Sequence, residues 1–350
     1  MTPEEARGLF PVLERLAYLN AGTFGPLATP TADAVRAEVE RDLRDGRFGK
    51  AYFDRLLELR RQARAALGAL VGAEPEQIAL TGSTTDGCNI VVAGLDLTAG
   101  DEVVTTTQEH FGLLGPLHAS GARVVTVEPD PGAIAAAVTP RTKLLALSQV
   151  LWTTGRELPV RALREETGVP VLVDGAQSVG AVPVSAAGLD FLTISGQKWL
   201  CGPDSTGALV VADPERLRIA RPSYFSQTAH EPSGAFEPVE GAARFDPGWV
   251  ATSALAGLLA ALGLRPEWAF ERAREQAARC RELLDPLVET VPGDATLVAF
   301  RADDPSAVVE RLSDAGVVVR EIPRTGLVRV SCGWWTSEDD LQRLAASLTA

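Results

Sequence analysis

Short apolar runs that alternate with helical segments constrain the fold more than any other feature of the sequence. From Gln77 onward the sequence contains seven such runs: QIALTGS, DEVVTTT, ARVVTVEP, TKLLALSQV, VPVLVDGA, LDFLTIS and TGALVVAD. Segments of helical character, such as TTDGCNIVVAGL and LPVRALREETG, separate several of them. Strands that are apolar on both faces and alternate with helices are typical of a mainly parallel sheet covered on both sides. The sequence therefore predicts an α/β fold.

Helical patterns also precede and follow this region. TPTADAVRAEVERDLRDG, which we expect to have a Thr cap and to end at a Gly, is followed by the amphipathic AYFDRLLELRRQARAALGALVG. TSALAGLLAALGL begins a long helical region, and the tail alternates TLVAFRA, PSAVVERLSDAG, VVVREIP, LVRVSCG and SEDDLQRLAASL. We predict a large domain over residues 15–255 and a small α/β domain over residues 256–350. Residues 1–14 are expected to pack against the small domain.

Charge and cysteine content exclude several classes of partner. The formal net charge is -13, so the surface is expected to repel nucleic acid and anionic membranes. The sequence has no apolar run long enough for a membrane-spanning helix, and its first residues lack the features of a signal peptide. Four scattered cysteines without a CxxC pair indicate reduced thiols in a cytoplasmic protein, with no metal site.

Lysine is rare in this chain, and one lysine has an unusual setting. Only Lys50, Lys143 and Lys198 occur, because nearly all basic residues are arginine. Lys198 follows a predicted strand in the small-residue stretch ISGQK, and the apolar WLCGP comes next. A surface lysine in a turn is the ordinary interpretation. A desolvated amine at a strand end would instead have a lowered pKa and could form a Schiff base.

Asp174 has a comparable position at the end of the apolar run VPVLV. A carboxylate at the carboxyl edge of a parallel sheet lies where such folds bind ligands, although Asp is also a good helix N-cap. A buried carboxylate there can keep a pyridinium N–H protonated. Pyridoxal 5'-phosphate (PLP) uses such an acid together with a Schiff-base lysine.

Three motifs, VDGAQSVGAVPV, SGQKWLCGP and TGALVV, resemble the PLP-dependent enzymes of aminotransferase class V. That family includes cysteine desulfurases, isopenicillin-N-epimerase-like proteins and cysteine/cystine C–S lyases. The similarity extends from AYLNAGTFGP to VRVSCGWWTSEDDLQRL, and LSQVLWTTGRELPV, VATSA and VRVSC are most similar to the C–S lyase branch. The resemblance implies the fold-type I architecture of PLP-dependent transferases, PLP as cofactor and a homodimer with sites at its interface.

The resemblance also implies roles for individual residues. Lys198 would carry the cofactor, Asp174 would pair with its pyridine nitrogen, and His110 would stack over its ring. Further cofactor contacts would come from Gln177 and Gln149 near the 3-oxygen, from Ser83, Thr84, Thr85 and Ser195 at the phosphate, and from Thr252 at the neighbouring subunit's phosphate. Arg329 would bind the substrate's α-carboxylate, close to the backbone of Asn20 and Ala21.

Each of these positions has a simpler interpretation, and one departs from the family pattern. Ser83, Thr84, Thr85 and Thr252 could be ordinary helix caps, His110 a helix-end residue and Arg329 an exposed strand arginine. The family usually has His directly before the lysine, where this chain has Gln197. That change removes a titratable group beside the expected phosphate site.

Several reactions fit this cofactor. The closest resemblance favours β-elimination of L-cystine or L-cysteine to pyruvate, ammonia and a sulfur product. Transamination with a 2-oxo acid is the main alternative, and epimerisation is a weaker one. A persulfide-forming desulfurase is disfavoured, because no cysteine precedes Arg329 in the corresponding loop and Cys332 follows it. A non-catalytic scaffold or a nucleotide-binding protein using GSTTDG is also conceivable, but the latter lacks the glycine-rich phosphate motifs.

Overall fold

The structure, a computed structural model, describes residues 1–349 as eleven helices and fifteen strands. The helices are α1 (Pro3–Arg7), α2 (Thr29–Asp45), α3 (Gly49–Val71), α4 (Thr84–Gly94), α5 (Phe111–Ala119), α6 (Pro131–Ala136), α7 (Val160–Thr167), α8 (Thr252–Leu264), α9 (Ala269–Leu284), α10 (Pro305–Asp314) and α11 (Glu338–Thr349). The strands are β1 (Ala17–Tyr18), β2 (Ile78–Thr81), β3 (Glu102–Thr106), β4 (Arg123–Val127), β5 (Thr142–Ser148), β6 (Val171–Asp174), β7 (Phe191–Ser195), β8 (Gly207–Val211), β9 (Gln227–His230), β10 (Phe236–Pro238), β11 (Thr290–Val291), β12 (Leu297–Arg301), β13 (Val317–Val318), β14 (Arg320–Ile322) and β15 (Leu327–Ser331). No helix in this range is long and apolar enough to cross a membrane.

The seven predicted apolar runs form one sheet. Its strand order is β2-β8-β7-β6-β5-β3-β4. The five strands from β7 to β4 in that order are parallel, and only β8 runs antiparallel to its neighbours β2 and β7. The prediction of an α/β fold with a mainly parallel sheet is therefore confirmed.

Alternate side chains of each central strand supply the two faces of the sheet. In β5, Leu145 and Leu147 belong to the core formed with α3 and α8. Leu144 and Ala146 belong to the core on the other face, which is formed with α4 and α5. Because successive side chains in a strand point in opposite directions, covering both faces requires the continuous apolar runs seen in the sequence.

The C-terminal region builds a second sheet, of four antiparallel strands in the order β11-β12-β15-β14. The N-terminal segment lies against this region. Arg7 pairs with Asp340 at 2.6 Å, and the ring centroids of Phe10 and Trp334 are 5.4 Å apart. The predicted domain boundary at residue 255 falls within α8, which packs against α2 and α3.

One local prediction is wrong. Thr29 does not cap α2, because it is already the first helical residue and Ala28 occupies the cap position without a side-chain hydrogen bond. Pro30 in the first turn needs no N–H partner and has a backbone angle suited to a helix start. The predicted end is correct, since Gly46 directly follows Asp45.

Asp246 joins α3 to the edge of the main sheet, and its removal should destabilise the fold. Its carboxylate, fully buried, accepts hydrogen bonds from Arg60 at 2.5 Å, from Arg64, and from the Leu80 N–H at 2.8 Å. Asp246→Ala would leave the buried Arg60 charge without its partner, so we expect the free energy of unfolding in urea to fall by about 3–5 kcal/mol.

The control for this prediction is Glu289→Ala, which removes an exposed ion pair with Arg301. Such pairs contribute at most about 1 kcal/mol. Equal losses in the two variants would contradict the role given to Asp246.

Candidate active site

The candidate site lies where β5, β6 and β7 end at the same edge of the main sheet. Ser148 pairs in register with Asp174, and Asp174 pairs with Thr193. The chain then turns at the end of β7 into the segment that contains Lys198. The parallel direction of these strands is what brings their carboxyl ends together.

A glycine-containing loop from the N-terminal region packs directly against the lysine segment. The Gly25 N–H donates to the Gln197 carbonyl at 2.8 Å. A Cβ at Gly25 would lie 2.1 Å from the Lys198 carbonyl oxygen, so no larger residue fits there. This contact joins two segments that are distant in the sequence.

Lys198 is held in a setting that favours the neutral amine. Burial lowers the pKa of its ammonium to about 8, and the positive charges of Arg329 and Arg320 act in the same direction. The nearby carboxylate of Asp174 opposes them by raising the pKa. An amine with this pKa is largely neutral just above physiological pH and can act as a nucleophile or base.

Asp174 presents one free oxygen at this edge. The side chain is buried, and Oδ1 accepts from the Ala176 N–H at 2.9 Å and from the Thr193 hydroxyl at 3.4 Å. Within residues 1–349, Oδ2 accepts no hydrogen bond from the protein. The fold thus orients the carboxylate and leaves one oxygen for a donor on a ligand.

His110 lies nearby as a neutral ring. It is the N-cap of α5, and its Nδ1 accepts from the Gly112 N–H at 3.0 Å. Burial lowers the pKa of the imidazole, with Lys198 contributing in the same direction. The ring meets Trp152 edge to face, with centroids 5.0 Å apart. Its orientation is therefore fixed by two contacts.

Hydroxyl groups and backbone N–H groups lie at the start of α4 and at the end of β7. Ser83 is the N-cap of α4, and its hydroxyl accepts from the Asp86 N–H at 3.1 Å. Among the described residues, the N–H groups of Thr84 and Thr85 have no hydrogen-bond acceptor. β2 and β7 both flank β8, which brings the start of α4 close to Ser195. This arrangement suits a phosphate group.

Arg329 is a buried cation without an anion. It lies on β15, where Nη1 donates to the Trp152 carbonyl at 2.8 Å and Nη2 donates to the Thr23 hydroxyl at 3.3 Å. Its buried Nε has no partner, and no carboxylate of the described chain lies within ion-pair distance. Burial lowers the pKa of the guanidinium, yet an arginine remains charged at neutral pH. A ligand carboxylate would satisfy this group.

A second arginine, which the sequence did not reveal, lies beside it. Arg320 on β14 donates from Nη1 to the same Thr23 hydroxyl at 3.2 Å, and its guanidinium carbon is 5.9 Å from the Trp152 ring centroid. In the described part of the chain it too has no carboxylate partner. The two neighbouring cations repel each other, and a ligand anion bound between them would relieve that repulsion.

The loop with Asn20 and Ala21 connects these groups. A Cβ at Gly22 would lie 2.7 Å from Nη2 of Arg329 and 3.0 Å from Oε1 of Gln177, and the Gln177 amide donates to the Gly22 carbonyl at 2.8 Å. The structure thus brings Asn20, Ala21, Gln177 and Arg329 together, and the roles given to them stay predictions.

Two predicted site residues, Gln149 and Thr252, line other cavities. Gln149 lines a surface cavity of about 500 Å³ together with Glu157 and Ser185. Thr252 begins α8 and lines a cavity of about 340 Å³ between α2 and α3. Neither side chain makes a hydrogen bond to the other site residues within the described chain. The roles given to Gln149 and Thr252 stay predictions.

Sequence reasoning missed Arg320, Trp152 and Glu109. Arg320 is hidden among many arginines, and Trp152 contacts His110 only through folding. Glu109 directly precedes His110 and is buried at the same edge, a proximity that could have drawn attention to it.

Comparison with known proteins gives a family and close structural matches. The family model of aminotransferase class-V matches residues 50–344. The isopenicillin N epimerase of Amycolatopsis lactamdurans is 31% identical and aligns with 94% of this chain and 94% of its own length. A probable cysteine desulfurase of Methanothermobacter thermautotrophicus is 26% identical over 99% of this chain and 98% of its own length.

Among solved structures, C-DES with glycine covalently linked to its PLP cofactor matches with a TM-score of 0.92. The two chains are 28% identical, and the match covers 98% of each. A complex of this cystine C–S lyase with its product cysteine persulfide gives a TM-score of 0.91 at the same identity, over 97% of this chain and 98% of C-DES.

Lys198 should react with amine reagents at lower pH than the two other lysines. Because the pKa of Lys198 is lowered to about 8, acetylation of the cofactor-free protein should reach half its maximal rate near pH 8. Lys50 and Lys143 are exposed and provide the reference curves in the same sample. Peptide mass spectrometry measures all three, and coincident curves would contradict the environment described for Lys198.

Proposed function

Because the chain belongs to the aminotransferase class-V family of PLP-dependent enzymes, we propose that it catalyses C–S β-elimination of L-cystine or L-cysteine. The products would be pyruvate, ammonia and a sulfur compound. The family and the cofactor agree with the sequence analysis and are confirmed. The observation that carries the proposal is the pair of unpaired arginines, Arg329 and Arg320, beside a lysine of lowered pKa.

The residues at the sheet edge fit the parts of PLP. Nζ of Lys198 would bind the aldehyde carbon, the free Oδ2 of Asp174 would accept from the pyridine nitrogen, and the neutral His110 ring would cover one face. The phosphate would be held by the groups at the start of α4 and the end of β7, namely Ser83, Thr84, Thr85 and Ser195. When bound, PLP withdraws electrons from the substrate's α-carbon and thereby acidifies its hydrogen.

The substrate would be oriented by charge. The buried Nε of Arg329 has no partner, and a carboxylate can accept from Nε and from a neighbouring Nη at once. L-cystine carries a second carboxylate at its far end, which Arg320 would bind. This second contact favours the disulfide over a short amino acid with a single carboxylate.

Lys198 would also move the proton. Once its amine is released to the substrate site, it would take the α-hydrogen as a general base, and burial favours the neutral form that this step needs. The C–S bond at the β-carbon then breaks and its electron pair leaves with the sulfur. Hydrolysis of the remaining three-carbon fragment gives pyruvate and ammonia.

The cysteines of the chain support elimination over a desulfurase reaction. A desulfurase needs an accessible thiol that accepts sulfur from the substrate. All four cysteines of this chain are buried, and burial raises the pKa of Cys201, which also lies near the lysine segment. Buried thiols of high pKa are poor nucleophiles.

Two other reactions remain candidates in the same site. Transamination needs the same lysine, aspartate and arginine but also a 2-oxo acid. Epimerisation is favoured by one observation, the 31% identity to an isopenicillin N epimerase over nearly the whole chain. Inversion of the α-carbon in deuterated water, with deuterium incorporated at that carbon and no keto acid formed, would identify an epimerase.

Exposed aromatic side chains support the proposed homodimer. Phe53 packs against Trp249 and Trp249 stacks on Tyr224, although all three are substantially exposed. Phe48 is 76% exposed and lines the cavity that also contains Thr252. A second subunit would cover this apolar area and bring Thr252 to its partner's phosphate site. The four unpaired cysteines support a cytoplasmic location.

Asp174→Asn should keep cofactor binding but lose turnover. The amide has the same shape, yet it no longer stabilises a proton on the pyridine nitrogen. We expect the visible absorbance of lysine-bound PLP to persist while kcat falls on the order of 10²–10³-fold, the usual effect of losing one electrostatic contact. An unchanged kcat would contradict the role proposed for Asp174.

Substitution of the two arginines should affect KM for L-cystine and L-cysteine differently. Arg329→Gln should raise KM for both L-cystine and L-cysteine by at least about tenfold, because it removes a charged hydrogen bond common to both. Arg320→Gln should raise KM for L-cystine by a similar factor and leave that for L-cysteine within about twofold. Equal effects of Arg320→Gln on the two substrates would count against binding of a second carboxylate.

A further inference from the structure

Glu109 is a buried carboxylate at the site that the proposed chemistry does not use. It is only 5% exposed and lies between β3 and His110. One oxygen accepts from the Thr106 hydroxyl at 3.0 Å, and the other accepts from the Ser148 hydroxyl at 2.5 Å. The Ser148 N–H lies 3.1 Å from both oxygens. The carboxylate therefore connects the ends of two strands.

These side-chain contacts join β3 and β5 beyond the point where backbone pairing between the two strands ends. The backbone register of β3 and β5 runs from Glu102 opposite Thr142 to Val104 opposite Leu145. Beyond that point the Thr105 hydroxyl donates to the Ala146 carbonyl at 2.8 Å, and Glu109 takes the next N–H, that of Ser148. Side chains thus close the gap between two strands that separate at the ligand-binding edge.

Proposed site residues lie on both sides of the gap between the ends of β3 and β5. Ser148 is the register partner of Asp174 on β6. His110 follows Glu109 directly in the sequence, at the start of α5. A change in the Glu109 contacts would therefore shift His110 relative to Asp174, whereas Arg329 belongs to the other sheet.

Burial and hydrogen bonding have opposite effects on the charge of Glu109. Burial raises the pKa of Glu109 to about 7, with a contribution from Asp174, while the hydrogen bonds from Ser148 and Thr106 oppose the shift. The Cys88 thiol on α4 also faces these carboxylates, and burial raises its pKa well above the usual value. No cation of the described chain pairs with Glu109, and its side-chain hydrogen bonds come from Ser148 and Thr106.

We infer that Glu109 is a positioning residue, which fixes His110 relative to the Asp174 strand by joining the ends of β3 and β5. It does not contact the substrate. This inference rests on the roles proposed above for His110 and Asp174.

The test uses the PLP-loaded enzyme and the variants Glu109→Ala and Glu109→Gln. A small misplacement of groups around a reacting centre can cost up to about 10²-fold in rate, so we expect Glu109→Ala to lower kcat for L-cystine by at least about tenfold. KM should change by less than about twofold, because the arginines are untouched. The visible circular dichroism of bound PLP should also change. Glu109→Gln should restore most of both signals, since its amide oxygen still accepts the Ser148 N–H.

Glu102→Ala is the matched control at the opposite end of β3. Glu102 is a carboxylate of similarly low exposure that accepts from the Thr139 hydroxyl and from Arg141, both at 2.6 Å. Its loss should lower the unfolding temperature without changing kcat or the visible circular dichroism. Unchanged signals in Glu109→Ala, or equal changes in the Glu102 variant, would overturn the inference.

Two further outcomes of the experiment are informative. If Glu109→Ala does not fold, Glu109→Asp keeps the charge but is one methylene too short to reach Ser148 and Thr106 together, and normal kcat in that variant would overturn the inference. If the wild-type chain fails to bind PLP through Lys198, the proposed function itself is overturned, and the inference with it.

Discussion

The electrostatic attraction between Lys198 and Asp174 is the interaction on which the candidate site depends. Both side chains are buried at the carboxyl edge of a parallel sheet. Burial favours the neutral form of the lysine amine, whereas the Asp174 carboxylate favours the charged form. As a result, the pKa of Lys198 is about 8, below the value of 10.5 for an ordinary lysine. The fold must keep two polar groups buried and close together, which is possible because adjacent parallel strands end at the same place.

The opposite wall of the site comes from the second sheet. Arg329 and Arg320 lie on neighbouring strands there, and both reach the hydroxyl of Thr23 on a loop from the N-terminal region. That loop contacts the lysine segment through Gly25 and the main-sheet residue Gln177 through Gly22. The site therefore depends on three parts of the chain, and a ligand anion would relieve the repulsion between the two arginines.

Much of this arrangement could be predicted from the sequence, for a physical reason. Asp174 is the last residue of β6 and Lys198 lies three residues beyond the end of β7, so identifying the strands places both residues at one edge of the sheet. Arg320 and Glu109 were missed because their significance comes from contacts with Thr23 and Ser148, which are distant in the sequence. The mistaken cap at Thr29 has a local cause, since Pro30 allows the helix to start one residue earlier than the hydroxyl pattern suggests.

The most direct test of the proposed reaction is keto-acid release from L-cystine by the PLP-loaded enzyme without any added 2-oxo acid. A β-elimination regenerates the enzyme in each cycle, so pyruvate should accumulate far beyond the enzyme concentration. Formation of at most one keto acid per site, with conversion of the cofactor to its amine form, would contradict the proposal and identify an aminotransferase.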